Sequence, residues 1–137
     1  MNQPISHHDA LIYVMVTMSA VDRTMTDAEL QRIGEIVRTT PVFRDYNEEK
    51  LIGASEICAD ILQEDDGLET VLELIRTCLP ARLYETAYAL GVEVAAADLH
   101  VEPEELRFLA MLRDRLNLEK LVTAAIERGA RARFRTL

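Results

Sequence analysis

The sequence predicts an all-α domain of about seven helices, arranged as two pseudo-symmetric halves around two buried central helices. Three observations predict it. Apolar residues recur at three- and four-residue spacing along nearly the whole chain, as in Leu30, Ile33, Ile36 and Val37, and almost no alternating run marks a strand. Capping signals stand at the heads of those periodic segments. The chain also matches itself when shifted by 76 residues, which lays Asp22 over Asp98.

Each helix has its own signal. The first, 7–21, follows Ser6 with Asp9 three positions on, and the second, 27–38, follows Thr26 with Glu29. The third, 47–63, and the fourth, 67–78, follow the looser pairs Asp45/Glu48 and Asp66/Glu69. Thr39-Thr40-Pro41 divides the second from the third, because the residue before a proline is pushed out of helical geometry. Leu79-Pro80 divides the fourth from the fifth, 81–97. The sixth, 103–115, opens with Pro103, Glu104 and Glu105, a proline whose missing N–H is not needed there and two acids facing the positive end of the helix dipole. Asn117 is the expected cap of the last helix, 118–130. Leu11 to Val21 and Ala87 to Ala97 are apolar almost all round, and a helix without a polar face belongs in the interior.

Composition sets the class. The chain has 137 residues, enough for one domain (1–137) with a core of its own, and no linker is long enough to divide it. It is 49% hydrophobic, which excludes disorder, and only 5% aromatic with no Trp, so the core is aliphatic. A net charge of −9 disfavours non-specific nucleic-acid binding, since a polyanion gains nothing by approaching another. Cys58 and Cys78 sit in no zinc-ligand spacing and read as reduced core residues. The N-terminus lacks the basic region of a signal peptide, and the longest apolar run, Ala10 to Val21, is too short to span a bilayer. A soluble, cytoplasmic domain is expected.

The repeat carries acids. Asp22 and Glu29 in the first copy match Asp98 and Glu105 in the second. Each Glu is placed for a helix start, where it can reach back to the cap N–H. Each Asp follows a long helix and so meets the negative end of its dipole, which costs about 0.3–1 kcal/mol. One reading makes these loops tight helical hairpins with capping residues. The other makes them carboxylate loops for a hard cation, Ca²⁺ or Mg²⁺, which oxygen donors favour over zinc. They are not EF-hands, since the Asp-x-Asp-x-Asp-Gly run is missing.

At this point the chain resembles the TerB-like family of tellurite-resistance proteins. The resemblance rests on Val16-Thr17-Met18-Ser19-Ala20-Val21-Asp22 with Met25-Thr26-Asp27-Ala28-Glu29, and on Gly91-Val92-Glu93-Val94-Ala95-Ala96-Ala97-Asp98 with Val101 and Glu105. It runs from about His8 to Val122. It implies an all-α fold in two pseudo-symmetric halves, a metal role for Asp22, Glu29, Asp98 and Glu105, other stress-response proteins as partners, and no organic cofactor or enzymatic activity. The chain departs from the pattern where Arg23 and Leu99 replace the glycine after each motif Asp.

Other features read more plainly. His7, His8 and His100 are expected at the surface, with His100 inside an acidic loop. No Ser-His-Asp or Cys-His arrangement and no phosphate-binding glycine loop stands out. The segment 128–137 holds Arg128, Arg131, Arg133 and Arg135 and is expected to be a short basic tail. It either complements a helix dipole and frays, or docks on an acidic surface, its own or a partner's, or makes weak contact with a membrane surface. Three functions remain: a metal-binding stress-response module acting through other proteins, a purely structural interaction domain whose acids are caps, and, last, a small carboxylate-dependent enzyme.

Overall fold

The structure, a computed structural model, describes residues 4–21, 24–97 and 101–137. Among them there is no strand. Seven α-helices follow in order: α1 His7–Ala20, α2 Asp27–Thr39, α3 Leu51–Leu62, α4 Gly67–Cys78, α5 Tyr84–Ala97, α6 Pro103–Arg115 and α7 Lys120–Arg133. Short 3-10 turns occupy Pro41–Phe43, Glu48–Lys50 and Ala81–Leu83. None of the helices is long and apolar enough to cross a membrane.

The strongest caps form where the sequence places them. The Ser6 hydroxyl accepts the Asp9 N–H at 3.0 Å, and Thr26 and Glu29 close a reciprocal capping box. Three other boundaries differ from expectation. Asn47, not Asp45, caps the entry to the third helix, accepting the Glu49 N–H at 3.0 Å, and a 3-10 turn precedes α3. Asp66 makes no side-chain cap bond. Asn117 ends α6 instead of starting α7: its φ is 55°, Leu118 N–H donates to the Arg113 carbonyl at 3.0 Å, and Asn117 N–H donates to that of Asp114 at 3.1 Å. That is a Schellman ending, and Asn suits it because its short polar side chain tolerates left-handed geometry.

The two expected central helices are the most buried. Leu11, Ile12, Val14, Met15 and Val16 of α1 are fully shielded, each gaining roughly 1.5–3 kcal/mol from burial. On α5, Ala87, Tyr88, Leu90, Val92, Val94 and Ala95 are buried. The helices cross at Gly91, where an added Cβ would lie 3.2 Å from Val14 Cγ1 and 3.5 Å from Met18 Cγ. The α3–α4 corner is tighter still: a Cβ at Gly67 would fall 2.1 Å from the Ile61 carbonyl oxygen.

Packing follows the repeat. α1 carries α2 and α3, α5 carries α6 and α7, and α1 packs on α5, with α4 lying against α1, α3 and α6. Cys58, reduced, is buried between Thr17 Oγ1 at 3.8 Å and the Tyr13 carbonyl at 3.9 Å, and burial pushes its thiol up to about 12. His8 differs from expectation. It is buried, its Nε2 lies 2.9 Å from the Val42 carbonyl oxygen and 3.3 Å from Asp45 Oδ1, and its ring stacks on Phe43 at 5.6 Å. Of the basic segment 128–137, residues up to Arg133 belong to α7, with Ala130 buried and Arg133 paired to Glu93 of α5.

Candidate functional site

Two kinds of place are candidates for a functional site: the acidic helix starts and the valleys between helices. At the first acidic start, Thr26 N–H donates to Glu29 Oε1 at 2.8 Å and Glu29 N–H donates to Thr26 Oγ1 at 3.2 Å. At the second, Glu102 N–H donates to Glu105 Oε1 at 3.1 Å. Glu29 is half-buried, whereas Glu105 is only 6% exposed. A carboxylate that well buried needs compensating partners, so the second start is the more constrained. Asp22 and Asp98, with Arg23, Leu99 and His100, lie outside the described residues. Among the described residues no group of three or more His, Cys, Asp or Glu side chains could hold a metal ion.

The donor chemistry of the two glutamates fits a hard cation. Carboxylate oxygens suit Ca²⁺ or Mg²⁺, and capping is compatible with ligation because one carboxylate offers about four lone-pair sites.

The valleys follow from how the helices diverge. α6 and α7 both pack on α5 but scarcely on each other, which leaves a groove of about 500 Å³ with α5 as its floor. α2 and α3 diverge in the same way over α1 and leave one of about 390 Å³. The two grooves share lining positions: Ala20, Met25 and Leu30 in one, Ala96, Val101 and Leu106 in the other. Those pairs are the same 76 residues apart as the acids. Met25 with Leu30, and Val101 with Leu106, flank the helix starts at staple spacing, the residue before the cap against the fourth helical residue. The sequence signal for the grooves was therefore present in the repeat, disguised as capping.

Their rims differ in charge. The α5–α6–α7 groove is edged by Arg113, Arg131 and Arg135, with Glu127 the one lining acid among the described residues. That acid is engaged: Tyr88 hydroxyl donates to Glu127 Oε2 at 2.6 Å. Burial, and then Glu127, raise the Tyr88 pKa, so the phenol keeps its proton. Among the described residues, the α1–α2–α3 groove has Glu56 and no cation in its lining.

The family model of the tellurite resistance protein TerB matches residues 8–128. The chain belongs to the TerB family. The TerB match runs from the first turn of α1 into α7, so both halves, both acidic starts and both grooves fall within or at the edge of the family domain. The resemblance drawn from the repeated motifs is thus borne out, with nearly the same limits. No curated protein and no solved structure gave a significant match.

Proposed function

We propose that this TerB-family chain is a non-enzymatic module of tellurite resistance and stress response that works by binding. In this reading it takes a divalent cation at the repeated Asp/Glu loops and engages other proteins through its surface. The observation that carries the cation reading is Glu105, a buried carboxylate at the start of α6, seven residues after Asp98 in the sequence. Glu29 holds the equivalent place after Asp22. The ion is Ca²⁺ or Mg²⁺, held by Asp98 and Glu105 more firmly than by Asp22 and Glu29, where Arg23 stands next to the Asp and competes for its charge. A bound cation would neutralise the loop and join the end of α5 to the start of α6.

A second reading has its own support. Glu29 and Glu105 each accept the N–H of their cap residue, and that role alone explains an acid at those positions. Backbone amide NMR separates the two. On titration with millimolar Ca²⁺ and Mg²⁺, the amides of residues 98–105 should shift, and Asp98→Ala should abolish the response. Amides that stay still throughout would leave the acids as caps and remove the cation from the proposal.

A further inference from the structure

We propose that the α5–α6–α7 groove is the docking site for an acidic amphipathic helix of a partner protein. The inference rests on the module reading above and supplies the chemistry of its partner.

The shape argues for a helix. The groove is the open valley between two diverging helices, and a third helix laid there would complete the layer over α5. Its lining includes Ala95, Ala96, Ala110 and Ala130, whose small side chains let another helix approach closely. Larger apolar groups stand at its margin only partly covered: Val101 and Phe134 are each 41% exposed and Leu106 is 57% exposed. An apolar stripe on an incoming helix would cover them, as in other helix-in-groove recognition.

The charge argues for an acidic one. In a chain of net charge −9, three arginines edge this groove among the described residues against one glutamate, which is already held by Tyr88. The cations stand on both banks: Arg113 on α6, which also pairs with Asp114 at 3.4 Å, and Arg131 on α7 with Arg135 just beyond its end. Arg113 is close enough to Tyr88 to pull its pKa down against the larger upward push of burial, which sets a positive charge beside the apolar floor. Neither Arg131 nor Arg135 pairs with a carboxylate among the described residues. Arginine forks on both sides of an apolar strip match a helix whose apolar stripe is flanked by Asp or Glu. A membrane surface fits less well, because an anionic bilayer is repelled by the net charge of the chain and cannot enter a concave valley. The α1–α2–α3 groove is the internal control: it has the same position in its half, similar staple residues and no cation among its described lining residues.

The test uses the full chain, labelled with ¹⁵N, and two synthetic helical peptides. One carries a Leu stripe flanked by Glu; its twin has Lys in place of every Glu. The Glu peptide should shift amides of residues 92–96, 106–113 and 130–135 and leave those lining the other groove in place. The double variant Arg131→Glu/Arg135→Glu, both positions being exposed, should weaken binding by about tenfold or more. Filling the valley with Ala110→Trp should block binding, whereas Ala59→Trp in the other groove should not. No shift at millimolar peptide, equal binding of the Lys twin, or indifference to the charge reversal would overturn the proposal. Phosphatidylglycerol vesicles form a further arm. Co-sedimentation that depends on Arg131 and Arg135, with the Glu peptide silent, would also overturn it and assign the arginines to a membrane. The cation titration is read at residues 98–105 in the same sample. A silent groove with a responsive loop therefore removes only the docking site, and silence in both removes the module reading as well.

Discussion

Cys58 and His8 show what neighbours do to a single side chain. Cys58 lies on the buried face of α3, and the aliphatic run around it made a core position legible in the sequence. Its environment also fixes a pH dependence. Burial raises the folded thiol from 9.0 to about 12, and burial likewise raises Tyr13 from 10.0 to about 12. Below pH 9 both groups keep their protons in the folded and unfolded chain, so the stability associated with them is fully present. Above pH 9 the unfolded chain releases protons that the folded chain retains, and stability falls until the folded groups titrate near pH 12. The loss is up to roughly 1.4 kcal/mol per pH unit for each group. The melting temperature should therefore drop steeply between pH 9 and 11, and Cys58→Ala should show a shallower slope. Equal slopes for the two proteins would clear Cys58 of the effect. His8 was not legible as a buried residue. Adjacent histidines near a chain end carry no local mark of burial, and its contacts, Val42, Phe43, Asp45 and Tyr46, are far away along the chain.

Helix ends divide into those settled locally and those settled by the turn around them. The Thr26–Glu29 box is local: both partners lie within one turn, and the residue types alone specify it. Glu29→Ala should destabilise the fold by about 1 kcal/mol through the lost cap, measured by urea unfolding. A larger loss, together with an altered cation response, would point to a further role for that carboxylate. Asn117 is the contrary case. Asn is favoured both before a helix and just after one, so its residue type could not choose between starting α7 and ending α6. The structure gives it a φ of 55°, which a Cβ makes costly for most residues. Asn117→Gly should be neutral or slightly stabilising, while Asn117→Ala should cost about 1 kcal/mol. The opposite order in chemical denaturation would contradict the Schellman ending. Proline behaved as a dependable divider: Pro41 and Pro80 both stand between α-helices, Pro41 opening a 3-10 turn and Pro80 preceding one.

The molecule as a whole is organised by the crossing of α1 and α5 at Gly91. Alanine there gains helix propensity of about 1 kcal/mol but brings a methyl within 3.2 Å of Val14, a stiff, β-branched and fully buried neighbour. Overpacking of that kind costs about 1–3 kcal/mol, so Gly91→Ala should lower stability on balance. An increase in melting temperature would show that the two helices can move apart without penalty. The same crossing explains why the grooves come in a pair. Each central helix carries two others that diverge, so the repeat in the sequence becomes a repeated valley in the molecule.

Periodicity, residue type and motif spacing within short stretches encode the helices, the two buried central ones, the capping roles of Glu29 and Glu105, and the family. Packing between distant segments is what buries His8, makes Asn117 close a helix, shields Glu105 while leaving Glu29 half-exposed, and sets arginines of α6, of α7 and of the segment after it along one apolar valley. Those properties belong to surfaces assembled from distant segments. Arg113 and Arg131 lie on different helices whose separation is set by how both pack on α5, and no local pattern in the chain encodes that distance.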